Sequence, residues 1–114
     1  MPKDFTKPDI TTSQDLSAGA LSYTTAIGRK FKLAEVAIHA SVDITETITI
    51  TRDSKNGANY DHILLSRDLS AEQDVVYRPQ GECNFEVGDE LKVACTNANL
   101  TGTVYVTIKL MEKS

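Results

Sequence analysis

From Ala20 onward no segment of credible length carries the apolar periodicity of an amphipathic helix. Apolar and β-branched residues alternate with polar ones over short runs, and turn residues separate the runs. A period of two sends successive side chains to opposite faces of a strand, so a chain patterned this way must bury one face of each strand against another layer. The runs predict about eight strands, near residues 20–26, 29–40, 46–52, 60–67, 74–79, 82–87, 90–96 and 102–111. "DLSAEQD" (Asp68 to Asp74) has room for one helical turn at most. The expected class is all-β, an antiparallel β-sandwich.

The second run changes phase. Phe31 and Leu33 share one parity, Val36 and Ile38 the other, which predicts a β-bulge near Ala34-Glu35. Three hairpins are expected. Asn56-Gly57 is a strong two-residue turn signal, and folding there pairs Ile50 with Ile63, Ile48 with Leu65 and Arg52 with Asp61. A second hairpin turns at Gly88-Asp89-Glu90 and sets Val87 against Leu91, Phe85 against Val93 and Cys83 against Cys95. A third turns at "ANLT" and pairs Cys95 with Val104, Val93 with Val106 and Leu91 with Ile108.

In that register Cys83 and Cys95 are close enough for a disulfide, since opposed strand residues lie about 4.5–5.5 Å apart. Reduced core thiols are the other reading, because buried cysteine behaves as a small inert hydrophobe and a cytoplasm is reducing. There is no C-x-x-C motif, and two cysteines on an apolar face make a poor metal site. His39 follows inward-facing Ile38 and is expected at the surface. His62 forms a polar cluster with Tyr60 and Asp61, with no nucleophile at a helpful spacing. Asp43, Asp53, Asp61 and Asp89 are scattered over separate loops and lack the spacing of a calcium loop. Asn99-Leu100-Thr101 fits a glycosylation sequon but reads as a polar turn. No catalytic residue, metal or cofactor is assigned.

Residues 1–19 are polar, contain Pro2 and Pro8, and hold only Phe5, Ile10 and Leu16 as apolar anchors. This predicts an extended N-terminal arm (1–19) ahead of a β-sandwich domain (20–114), either a disordered terminus or an arm whose three anchors order on a neighbouring subunit or the capsid. On that view the arm contributes nothing to the core, and the domain folds without it. The 114 residues suit one domain. No apolar run approaches the roughly 20 residues that span a bilayer, and the first residues do not resemble a secretory signal, so synthesis in a cytoplasm is expected. The net charge of −4, with its positive residues scattered, disfavours a nucleic-acid-binding face.

The order of "FKLAEVAIHAS", "TITITRDSKNGANYDHILLSRDLS", "DVVYRP" and "VGDELKVACTNANLTGTVYVTIKL" resembles a group of small bacteriophage virion proteins. In these a strand rich in Leu, Val and His-Ser leads to an "AxYD" hairpin (Ala58 to Asp61 here), an acidic or polar turn and a "P…GDxxxV…N…T.Y.(L/V).I" ending. The resemblance covers about residues 29–110 and leaves the arm outside it. It implies a jelly-roll-like sandwich on a phage head or tail, with no catalytic residues to carry over. The function it implies is a structural virion protein, a capsid decoration (cement) protein first of all. Its partners would be the major capsid protein or other virion proteins and further copies of itself, with a trimer as first guess and neither nucleic acid nor membrane involved. A tail- or fibre-associated adhesion or carbohydrate-binding module is the alternative.

Overall fold

The computed structural model describes residues 5–6, 10–25, 30–70, 72–81 and 83–112. Among them ten strands form two antiparallel sheets. The first sheet contains β1 (Phe5–Thr6), β2 (Ile10–Asp15), β4 (Phe31–Ala40), β7 (Asp74–Tyr77), β8 (Asn84–Phe85) and β10 (Thr103–Glu112). The second contains β3 (Leu21–Thr24), β5 (Thr47–Asp53), β6 (His62–Asp68) and β9 (Glu90–Cys95). A single 3-10 turn, Ala58–Tyr60, lies between β5 and β6.

Setting aside the two-residue strands β1 and β8, the sheet orders are β2-β10-β4-β7 and β3-β9-β5-β6. Among these eight strands the chain changes sheet at every connection except β5 to β6. Two four-stranded sheets joined in this order make a jelly roll. The expected fold class is therefore observed, and the predicted strands match the observed ones to within a few residues.

The two inner faces close on one core. β4 and β10 supply Phe31, Leu33, Val36, Ile38, Val104, Val106, Ile108 and Leu110, all essentially inaccessible. From the opposite sheet come Ile48, Ile50, Leu91, Val93 and Cys95. The phase slip in β4 is real. Lys109 pairs with Glu35 but Leu110 pairs with Leu33, so Ala34 is the extra residue and both halves of the strand point apolar side chains inward.

Three hairpin expectations are corrected. Asn56-Gly57 does lie between paired strands, but the connection is longer than two residues. Gly57 N–H donates to Ser54, Tyr60 N–H to Gly57, and the Asp61 carboxylate accepts from Ser54 N–H at 2.7 Å. Asp61 is thereby held within the loop, and Arg52 faces His62 instead. Ile50 pairs with Leu65 and Ile48 with Arg67; a bulge at Leu64 then leaves Ile63 two-thirds exposed. The other two hairpins do not form. The turn at Gly88-Asp89 carries the chain from β8 in the first sheet to β9 in the second, and residues 96–102 carry it back to β10. Phe85 is thereby separated from Val93, and Val104, Val106 and Ile108 from Cys95, Val93 and Leu91, because they belong to opposite sheets.

This relocates the cysteines. Cys95 lies between Leu21 and Ile48 in the second sheet, whereas Cys83 leads into β8 and accepts a hydrogen bond from Leu33 N–H in the first. Packed sheets stand about 10 Å apart, beyond the roughly 4.4–6.8 Å that a disulfide spans between Cα atoms. Both thiols are free. Burial raises the Cys83 thiol above its ordinary value, against the nearby Arg52 charge, and pushes Cys95 up to about 11, with Glu46 adding to the effect. Since the thiolate is the reactive species, iodoacetamide should label Cys83 slowly in the folded protein and Cys95 only after unfolding. Rapid labelling of Cys95 would contradict its placement.

The arm is corrected as well. Residues 10–15 are a strand of the first sheet, paired with β10 over six residues from Ile10↔Ile108 to Asp15↔Thr103. Ile10 packs against the core, and Leu16 is completely buried within it. Leu16 N–H donates to Gly102, and Asp15 Oδ1 accepts from both the N–H and the hydroxyl of Ser17, turning the chain toward β3. Ile10 and Leu16 are thus anchors of this chain's own core. Phe5 lies in β1, where its backbone pairs with Glu112.

Candidate binding surfaces

At one end of the sandwich the loops 41–46 and 96–102 are tied together by Glu46. This side chain stands at an inward position, in parity with Ile44, Ile48 and Ile50, and is almost fully buried. Its carboxylate accepts from the Thr96 hydroxyl at 2.6 Å, Asn99 N–H at 2.7 Å and Ala98 N–H at 3.0 Å. Asn99 Nδ2 also donates to Thr45 O at 2.7 Å. Three donors of the 96–102 loop thus converge on this one carboxylate. The Thr96 hydroxyl, then Asn99 N–H, lower the Glu46 pKa below its ordinary 4.5, against the desolvation that would raise it.

A depressed folded-state pKa means that the stabilisation is complete above the unfolded value and is lost as pH falls through the folded one. The melting temperature should therefore drop on the acid side of 4.5. Glu46→Gln, which cannot ionise, should flatten that limb while being less stable at neutral pH. Thermal unfolding of both proteins from neutral to strongly acidic pH checks this, and parallel acid limbs would refute it.

The outer face of the first sheet carries a cross-strand row. Ser13, Tyr105, His39 and Asp74 are successive register partners on β2, β10, β4 and β7. Tyr105 is half exposed and stacks on His39 with ring centroids 6.1 Å apart, while His39 Nδ1 lies 2.7 Å from Asp74 Oδ1. His39 is at the surface, as its parity implied. The next row is Thr11, Thr107, Ala37 and Val76, small or apolar throughout. Beyond it Glu35 receives Arg78 at 2.8 Å and Lys109 at 3.9 Å. The face is rich in hydroxyls and bordered by charge, with a shallow concavity along Thr11, Ser13, Tyr105 and Thr107.

At the other end of the sandwich a polar groove of about 350 Å³ opens between the β5–β6 loop and the segment leading into β9. Arg52, Tyr60, His62, Asn84, Glu86 and Asp89 contribute to its walls. Tyr60 and His62, grouped by the sequence, meet here; Asp61 is withdrawn into the loop. Arg52 and Glu86 were not legible as neighbours, since they converge only because β8 and β5 lie in different sheets. Among the described residues no three His, Cys, Asp or Glu side chains cluster as metal ligands would, and no helix is long and apolar enough to cross a membrane.

No family model and no curated protein matches the chain. Among solved structures it is similar to a chain in the structure of infectious bursal disease virus Gt strain. The two share 13% identity and a TM-score of 0.42 over 98% of this chain, which spans 38% of that one.

Proposed function

We propose that this chain is a non-enzymatic structural component of a bacteriophage virion, with capsid decoration as its specific role. The observation that carries the reading is the strand order β2-β10-β4-β7 over β3-β9-β5-β6, since jelly rolls recur in viral capsid and lectin domains. A fold alone does not fix a function. The resemblance of residues 29–110 to small phage virion proteins supplies the second support. The hydroxyl-rich outer face of the first sheet supplies the third, because it offers a surface for contacts with major capsid protein or with sibling subunits.

With Leu16 in the core, attachment rests on this outer face rather than on a free arm. A closed trimer on a capsid three-fold remains the proposed assembly. Electron microscopy of particles made with and without the protein is the decisive experiment. Density on the head surface, lost when Tyr105 and His39 are both changed to alanine, is the expected result. Normal heads without the protein, together with density confined to the tail, would sink the decoration reading.

A further inference from the structure

The groove between the β5–β6 loop and the segment before β9 is built to be held open, and its lining has a definite chemical character. Its walls are stapled by Asp89, whose two oxygens accept from Lys55 N–H at 2.9 Å and Glu86 N–H at 3.0 Å. Burial would raise the Asp89 pKa, but these two hydrogen bonds, with Arg52 and Lys55 nearby, outweigh it and leave the group below its ordinary value. Gly88 completes the staple. Its φ is +96°, a backbone conformation that strains other residues, and a Cβ there would crowd the Lys55 side chain at 3.1 Å. The Asp61 carboxylate is likewise committed to Ser54 N–H. Asp61 and Asp89 therefore hold the walls.

Arg52 is different. Its guanidinium makes one long hydrogen bond, 3.4 Å to the carbonyl of Asn84, and no ion pair among the described residues. His62 is its cross-strand partner. Tyr60 stands on the 3-10 turn with 61% of its surface exposed. Asn56 and Ser54 add an amide and a hydroxyl to the rim. A guanidinium with no carboxylate in ion-pair contact among the described residues, an exposed aromatic ring and several neutral hydrogen-bonding groups share one groove, and they suit a ligand with an anionic group, a weakly apolar face and many hydroxyls.

We propose that this groove binds a saccharide bearing a carboxylate, such as a uronic or sialic acid residue. Arg52 takes the carboxylate in the two-pronged geometry that guanidinium favours. Tyr60 stacks on the C–H face of the pyranose ring, and His62 and Asn56 meet ring hydroxyls. The volume of about 350 Å³ lies at the lower end of ligand pockets, which suits one or two sugar rings. Glu86, paired with Lys30 at 3.8 Å, and Asp89 set two carboxylates in the same lining as Arg52, so the groove carries no excess of positive charge. A dianionic phosphate is disfavoured on that ground, whereas a monoanion with hydroxyls is not. This inference does not rest on the virion reading, and the two fail separately.

The test is an amide-shift titration of the full chain with the methyl glycosides of glucuronic acid and N-acetylneuraminic acid. Methyl glucoside and an acidic peptide serve as comparators. At least one acidic sugar should move residues 52–62 and 84–89, binding at about millimolar strength and about tenfold more tightly than the neutral sugar. Arg52→Gln should abolish the response, and Tyr60→Ala, at an exposed position, should weaken it several-fold with the rest of the spectrum unchanged. The proposal is overturned if neither acidic sugar shifts the groove. It is equally overturned if methyl glucoside or the acidic peptide does as well, or if the folded Arg52→Gln or Tyr60→Ala protein binds like the parent.

Discussion

Deletion of residues 1–19 is expected to leave a chain that does not fold. The deletion removes β2, which fills one edge of β10 over six residues, and with it Leu16, which is wholly enclosed by the core. Loss of a fully buried leucine side chain alone costs about 2–5 kcal/mol. The deletion also strips the ladder hydrogen bonds from one side of β10 and uncovers Val104, Val106 and Ile108 at their β2 edge. Set against a typical total stability of about 5–15 kcal/mol, those losses exceed what the domain can bear. Far-ultraviolet circular dichroism and thermal unfolding of the truncated chain, beside a Leu16→Ala full-length protein, measure both steps. A truncated protein melting within a few degrees of the parent would restore residues 1–19 to the status of an arm.

The sequence suggested the opposite for a physical reason. β2 is an edge strand, half-buried at Ile10, Thr12 and Gln14, and only Leu16 beyond its end is fully enclosed. Such a strand needs few apolar residues, so its composition resembles that of a tail. Ile10 and Leu16 do share the inward parity with Thr12 and Gln14, and this was the one legible sign. Strand positions elsewhere, the phase slip at Ala34 and the inward set from Leu91 to Leu110 could be read because parity reports which side of a strand faces the core.

Parity does not report which sheet a strand belongs to. Cys95 and Val104 point inward whether they are neighbours in one sheet or face each other across the sandwich. The mirror symmetry around Gly88-Asp89 is therefore equally consistent with a hairpin and with a sheet crossing. Cys83 and Cys95 were paired on that ambiguity. Glu46 was legible in principle, as a lone charge within the inward series Ile44, Ile48 and Ile50. The groove was half legible: Tyr60 and His62 are local, but Arg52 reaches Asn84 only through the fold.

Phe85→Ala is expected to have the largest effect of any single truncation, because one ring performs two tasks. Phe85 stacks on Phe31 with centroids 4.5 Å apart and planes 14° from parallel, and both rings are completely buried. Emptying such a site costs about 3–5 kcal/mol, of which the ring pair itself accounts for about 0.5–1.5 kcal/mol. The loss is sharpened by how little else holds this stretch. β8 has two residues, and the pairs Phe31↔Phe85 and Lys32↔Asn84, with the bond from Leu33 N–H to Cys83, are its ties to β4. Urea denaturation should show the full loss for Phe85→Ala and a smaller one for Phe85→Leu, which keeps most of the apolar volume. A double-mutant cycle with Phe31→Leu should return a coupling of about 0.5 kcal/mol or more. The same ring fixes the segment that forms one wall of the groove, since Asn84 and Glu86 flank it directly. Amide exchange at Glu86 and Asp89 should therefore accelerate in Phe85→Ala by more than the global loss of stability explains. A loss below about 1 kcal/mol would mean that β8 is a loosely docked loop rather than part of the first sheet. Exchange at Glu86 and Asp89 that merely follows the global loss would mean that the Asp89 staple, not the Phe31–Phe85 stack, holds the groove in shape.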